Sequence, residues 1–247
     1  IPSSLVGSEM CIRDRLINKS EKISGCIVGE PTNVNQMGDT IKIGRRGSFT
    51  GSLIVKGIQG HVGYPDLAEN PINSLLKMLE PFTKIYLDKG TNEFQPSSVM
   101  ITTIDVNNDA SNVIPGEVKA KFNIRFNTLH SVASLKSMLK NQFDAITKNY
   151  EFDYFCNAEP FLTSDEELKS TLQNAITKVV NVNPAKSTTG GTSDARFITK
   201  LCPVIEFGLV GKTMHKIDEN VEVDDIMKLT SIYNKFLQNY FRVEKND

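Results

Sequence analysis

EVKAKFNIRF, residues 117–126, places Val118, Ala120, Phe122, Ile124 and Phe126 on one side of the chain and Lys119, Lys121, Asn123 and Arg125 on the other. A period of two sustained over ten residues is a strand with one buried face. Upstream, SVMITTID at 98–105 is rich in Val, Ile and Thr and reads as a second strand. Phe49, Gly51, Leu53 and Val55 alternate with polar positions in a third, and residues 150–155 form a fourth. Two helical patterns separate them. One spans 70–87, where Pro81 should end or kink it. The other spans 131–148, with Val132, Leu135, Leu139, Phe143 and Ile146 along one face. The order is β-α-β-β-α-β, the split βαβ unit of ferredoxin-like domains, and it is expected over residues 46–157.

On either side of this unit the pattern changes. CIVGEPT at 26–32 reads as a buried strand that delivers Glu30 to its carboxyl-end loop. Residues 164–180 read as a helix with Ser164 as N-cap and Asp165, Glu166 and Glu167 in the first turn, where the helix dipole favours them. A Gly/Thr/Ser loop at 188–197 runs into a short helix, 204–207 is a short buried strand, and 223–241 is an amphipathic helix. The chain is therefore expected to be an α/β domain, built from residues 1–45 and 158–247, interrupted by the inserted domain. Residues 1–15, IPSSLVGSEMCIRDR, fit neither part and are expected to be a non-native start, the alternative being a short native helix.

Composition removes several function classes. With 28 Lys+Arg against 29 Asp+Glu the net charge is −1, which gives no basic excess to neutralise nucleic-acid phosphates. No apolar run approaches the roughly 18 residues of a membrane span. Cys11, Cys26, Cys156 and Cys202 are scattered without a CxxC pair, against a disulfide scaffold or a cysteine zinc site. A reducing cytoplasm is the expected location. With only three histidines, any metal chemistry must lean on carboxylates.

His61, in GIQGHVGYP, is flanked by glycines and a proline that fix its backbone; a loop histidine without a role is the competing reading. His215, in KTMHKIDE, follows the strand VIEFG at the carboxyl end of an α/β sheet, where sites cluster. His130 begins a surface helix and is expected to be structural. Glu30, held between Gly29 and Pro31, suits either a rigid metal ligand or a helix cap. STTGGTSDARF, at 187–197, offers backbone N–H groups, hydroxyls, Asp194 and Arg196, and its glycines allow close approach to an anion. It is neither a Walker A loop nor a GxGxxG fingerprint. Arg45, Arg46, Arg125 and Arg196 are guanidinium candidates for a carboxylate ligand, each with a surface ion pair as its plain alternative.

CIVGEPT, GRRGS, GIQGHVGYP followed by AENP, SNVIPGE, NIRFN, GGTSDARF and MHKIDE, in this order, resemble the di-zinc amidohydrolase family of deacylases and exopeptidases. The resemblance runs from about Ile23 to Phe241, and GRRGS with GGTSDARF points to its desuccinylase branch. It implies a zinc-binding α/β catalytic domain interrupted by a βαββαβ dimerisation domain. It further implies two zinc ions, with cobalt as an alternative metal, a homodimer and a small dicarboxylate amino-acid substrate, with neither nucleic acid nor membrane as partner. Glu30 matches a carboxylate ligand of one zinc and His215 the histidine ligand of the other. His61 matches a histidine that reaches into the partner subunit's site to stabilise an oxyanion. Arg45, Ser48, Asn112, Arg125, Gly191 and Thr192 match positions that hold substrate carboxylates and amide. Ser111, where the relatives carry Asn, and the short GLVGKTM loop depart from the pattern.

The implied reaction is metal-dependent hydrolysis of a succinyl amide, releasing succinate and LL-2,6-diaminopimelate in lysine biosynthesis. The resemblance also implies a His-x-Asp motif, a bridging Asp and a Glu-Glu pair that do not occur upstream of Glu30. The chain is therefore expected to be a C-terminal fragment, inactive alone. The alternatives are a related deacylase, such as an acetylornithine deacetylase, and a non-catalytic dimerisation module.

Overall fold

In the computed structural model, which describes residues 22–242, the elements in chain order are as follows. β1 is Cys26–Val28, β2 Thr40–Lys42, β3 Gly44–Arg45, β4 Gly47–Lys56, β5 Gly60–His61, α1 Pro71–Leu79, β6 Ser98–Asp105, β7 Val113–Ile114 and β8 Glu117–Phe126. There follow α2 Val132–Asp144, β9 Tyr150–Ala158, β10 Phe161–Leu162, α3 Glu166–Val180, β11 Ala185–Ser187, α4 Ala195–Ile198, β12 Val204–Glu206 and α5 Val223–Tyr240. Residues 46–160 form one compact unit, and residues 22–45 with 161–242 the other.

The inserted unit is a four-stranded antiparallel sheet in the order β6-β8-β4-β9. Counted along the chain these are its second, third, first and fourth long strands, the ferredoxin-like arrangement. The alternation read in residues 117–126 becomes the core face: Val118, Ala120, Phe122, Ile124 and Phe126 are all buried. Leu75, Met78 and Leu79 of α1 and Leu135, Leu139 and Phe143 of α2 close over that face. Phe122 and Phe143 meet edge to face at 6.4 Å, an arrangement aromatic quadrupoles favour. Gly51 on β4 lies under the Phe122 ring, and any side chain there would overlap it.

Local chemistry sets the ends of the helices. Asn70 accepts the Ile72 N–H at 3.0 Å, and Pro71 occupies the first helical turn. Pro81 ends α1 at Leu79, and the chain continues as a 3-10 turn over Glu80–Lys84, so the 70–87 pattern is one helix plus this turn. Ser131 and Ser134 form a reciprocal capping box at the start of α2. α2 stops at Asp144, short of the expected 148, and Ile146 lies outside it, 40% exposed.

Asp88 organises the segment between α1 and β6. It accepts the Gly90 N–H at 2.6 Å, the Ser97 N–H at 3.1 Å and the Asn127 amide at 2.9 Å, and meets His130 Nε2 at 3.2 Å. His130 is thus held in a contact within the fold. Burial works to raise the Asp88 carboxyl pKa, but these hydrogen bonds outweigh it and hold the value below the ordinary one. A depressed native pKa contributes stability above the unfolded value, which is lost as pH falls through the native one. Asp88→Asn is expected to cost about 2 kcal/mol near neutrality, and the gap from wild type should narrow below about pH 4. Urea titrations across that range check both statements.

The other unit contains a four-stranded mixed sheet, β1-β12-β2-β11, in which β1 runs parallel to β12 and β2 parallel to β11. Ile41, Ile205 and Phe207 pack with Leu168, Leu172 and Ile176 of α3 and with Ile232 and Phe236 of α5. β1 is half-buried rather than buried, being an edge strand among the described residues. The α3 cap is Asp165, whose carboxylate accepts the Leu168 N–H at 2.8 Å, and not Ser164. Asp165→Ala should therefore cost about 1 kcal/mol in thermal or urea unfolding, and Ser164→Ala close to nothing. The expected non-native start at 1–15 lies outside the described residues.

Candidate active site

In the sheet unit the chemistry gathers at the carboxyl ends of β1 and β12. Glu206, the last residue of β12, is fully buried. A buried carboxylate must be paired, and Glu206 is: it accepts from Arg45 Nε at 2.8 Å and from Nη2 of the same guanidinium, while its other oxygen accepts from Ser193 Oγ. Arg45 Nη1 then reaches the Thr189 carbonyl at 3.4 Å and the Gly191 carbonyl at 3.3 Å. Gly190 has φ of +106° and sits against Nη1, so it is fitted both by backbone angle and by lack of a side chain. Lys42, paired in register with Glu206 across the β2–β12 ladder, sends Nζ to Ser187 Oγ at 3.0 Å and Thr189 Oγ1 at 2.5 Å.

Glu30 follows β1 by two residues and is half-buried. Burial, then the nearby Glu206 and Asp194 carboxylates, push its carboxyl above the ordinary value, with Arg45 opposing. The 208–214 segment lies against the 29–33 loop: Asn33 Nδ2 donates to the Gly208 carbonyl at 2.6 Å, and the two segments line a small cavity of about 110 Å³. His215 comes next in that segment. It is exposed, and its φ of +62° places a non-glycine residue in the left-handed region. Its N–H is held by Glu219 at 3.3 Å. Such a backbone costs roughly 1–2 kcal/mol and persists where a loop is over-determined. Glu30 and His215 therefore stand on neighbouring segments and have the right chemistry for zinc. Among the described residues, however, no group of three or more His, Cys, Asp or Glu is positioned to hold a metal ion. A catalytic zinc takes three protein ligands, so these residues alone do not complete one.

The inserted unit carries the second set. His61 ends β5 and pairs with Val113 of β7, and the Val62 N–H bonds the Asn112 carbonyl at 3.0 Å, so His61 and Asn112 share one short ribbon. Its Nδ1 accepts the Gly63 N–H at 3.0 Å. Nδ1 then carries no proton, and in the neutral ring Nε2 is the donor. On the sheet, Ser48 and Ser98 flank Arg125 in register. Arg125 Nη1 and Arg46 Nε are buried without a hydrogen-bond partner, although Arg46 Nη1 reaches the Pro96 carbonyl at 3.0 Å. Burial and the neighbouring Arg125 both work against the Arg46 charge. A pair of adjacent guanidiniums with unused N–H groups is suited to a carboxylate.

Glu206, Ser193 and Lys42 were not singled out from the sequence. A single Glu in VIEFG carries no pattern, and its burial appears only once β12 is seated between β1 and β2. Arg196 stacks over Phe197 at 4.5 Å. Gly191 and Thr192 lie on the loop that Arg45 holds; Gly191 is exposed and Thr192 half-buried.

Residues 43–151 match the model of the peptidase dimerisation domain. The chain is 52% identical over 232 residues to the succinyl-diaminopimelate desuccinylase of Pelagibacter ubique, covering 92% of this chain and 60% of that protein. It is 47% identical to the enzyme of the same name from Parvibaculum lavamentivorans, covering 92% of this chain and 59% of that one. The chain thus spans about three fifths of the length of the curated relatives it matches. Among solved structures it resembles aminopeptidase PepT from Bacillus cereus, with a TM-score of 0.75 at 15% identity, over 94% of this chain and 61% of that one. It also resembles an M20 family metallo-carboxypeptidase from Sulfolobus solfataricus, with a TM-score of 0.72 at 16% identity, over 93% and 67%. At these identities the structures establish a shared fold alone.

Proposed function

We propose, from the premise that this chain is a homologue of the succinyl-diaminopimelate desuccinylases with a peptidase dimerisation domain at residues 43–151, that it forms the dimerisation domain and part of the catalytic domain of such an enzyme. The reaction is metal-dependent hydrolysis of N-succinyl-LL-2,6-diaminopimelate to succinate and LL-2,6-diaminopimelate in lysine biosynthesis, a cytoplasmic step. The observation that carries this reading is 45–52% identity to several relatives that all bear that name. No described helix is long and apolar enough to cross a membrane.

Each side chain has a role that its surroundings support. Glu30 and His215 are ligands of a two-zinc centre, in which cobalt could substitute, completed by donors beyond the described residues of this chain. Such a centre supplies an activated water. His61, with Nε2–H as donor, stabilises the oxyanion of the tetrahedral intermediate in the partner subunit's site. Arg125 and Ser48 grip a substrate carboxylate, with Arg125 having the freer guanidinium. Gly191, Thr192 and Asn112 hold the remaining carboxylate and amide groups. Arg45, in the sheet unit, is a further candidate for a substrate carboxylate; it is already bonded at all three nitrogens, so it serves the Gly-Gly loop as much as the ligand.

A full-length enzyme carrying this chain should release succinate from N-succinyl-LL-2,6-diaminopimelate, lose activity with a chelator, and sediment as a dimer. Assay against N-acetylornithine separates the two deacylase readings. A preference for that substrate would move the assignment to an acetylornithine deacetylase. No hydrolysis of either would leave a dimerisation module.

A further inference from the structure

We propose that Glu206 is a positioning residue of the candidate site. Its carboxylate fixes the Arg45 guanidinium, and through Arg45 it sets the Thr189–Gly190–Gly191 backbone that presents Gly191 and Thr192 to an anionic ligand. The clause about the ligand rests on the function proposed above; the positioning itself does not.

The geometry forms a chain of dependence. Glu206 is fully buried, and its carboxylate bonds Arg45, which holds the Gly-Gly loop, and Ser193, which lies just past it. Arg45 has two of its nitrogens on Glu206 and the third on the Thr189 and Gly191 carbonyls. The loop therefore has no direct bond from Glu206 at residues 189–191; the carboxylate acts there only by aiming Arg45. Ser193 is the second tether, just past Thr192. Gly190 shows how closely the parts are fitted, since its left-handed backbone and missing side chain leave the space Arg45 fills. Lys42 is a separate brace: its Nζ holds the Ser187 and Thr189 hydroxyls and not the loop carbonyls. Without Glu206, Arg45 would be a partly buried guanidinium with only two long carbonyl contacts, and charge of that kind moves or draws in water.

The test is a double-mutant cycle on the full 247-residue chain, using Glu206→Gln, Arg45→Gln and the pair. The first readout needs no ligand: backbone amide shifts and hydrogen exchange of Gly190 and Gly191, the residues reached only through Arg45, by NMR. Each single variant should move these amides and speed their exchange about tenfold or more. The double variant should resemble Arg45→Gln alone, because Glu206 acts through that residue. Unmoved amides in Glu206→Gln, or effects that add in the double variant, would overturn the proposal. If Glu206→Gln fails to fold, a folded double variant with a loosened loop supports it, since the isolated guanidinium is then the fault. A double variant that also fails to fold, while Arg45→Gln folds, counts against it. The second readout is succinate titration of the wild type. Absence of succinate binding with the loop effects intact would remove the anion reading of the site and leave Glu206 in its positioning role.

Discussion

In a full-length enzyme carrying this chain, His61→Ala is expected to lower turnover by about 10²–10³-fold, the usual loss on removing an oxyanion donor, while substrate KM changes little. The argument starts from the ring's own bonds. Gly63 donates its N–H to Nδ1, which leaves Nε2 as the protonated nitrogen of the neutral imidazole. That is a donor, the form that can meet developing negative charge without first gaining a proton. The ring is exposed, so its donor is unspent within its own unit. The backbone beneath it is held independently, by pairing of Gly60 and His61 with Ile114 and Val113 and by the Val62–Asn112 bond. Truncating the side chain should leave this ribbon, and the dimer, unchanged. An interaction made mainly in the transition state lowers kcat and spares KM. Steady-state kinetics and sedimentation on the same preparations check the split. A wild-type kcat in His61→Ala would remove His61 from the chemistry, and a lost dimer would make its role structural.

The inserted unit was legible because its elements are long and its periods unambiguous. The ranges 98–105 and 117–126 coincide with β6 and β8. Pro81 and Ser131 mark boundaries through backbone chemistry that acts within a few residues. Ser164 misled because both it and Asp165 are good caps; only the folded chain shows which oxygen reaches the Leu168 N–H. The ribbons β5–β7 and β3–β10 were invisible, since two-residue strands have no period to detect. Among the candidate site residues, those set in unusual local sequence, such as His61 between glycines, could be singled out by reading along the chain. Glu206 and Lys42 acquire their meaning from cross-strand register, through partners about 145–160 positions away. Arg45 is intermediate: GRRGS marked it, but its capture by Glu206 did not show in the sequence.

The 247-residue chain itself is expected to bind zinc no tighter than about 10 μM, roughly −7 kcal/mol, and to hydrolyse no N-succinyl-LL-2,6-diaminopimelate. Complete structural zinc sites reach about −10 kcal/mol or beyond, and even a catalytic site takes three protein ligands around an open position. Glu30 and His215 offer one carboxylate and one imidazole, and no cluster of three or more His, Cys, Asp or Glu forms among the described residues. Burial and the adjoining carboxylates raise the Glu30 pKa, so protons compete with metal at this oxygen. The weak affinity should consequently improve as pH rises through that raised value and the carboxylate becomes available. His215 stands on an exposed loop, so part of any energy it would gain on binding a metal would go into ordering it. Calorimetric titration of zinc at several pH values measures the affinity and its slope, and an assay on the same samples measures turnover. Glu30→Gln and His215→Ala should each abolish what weak binding there is. Nanomolar affinity with measurable turnover would mean that these residues rearrange to supply a full ligand set and a base, and the assignment of only part of the catalytic domain to this chain would fall.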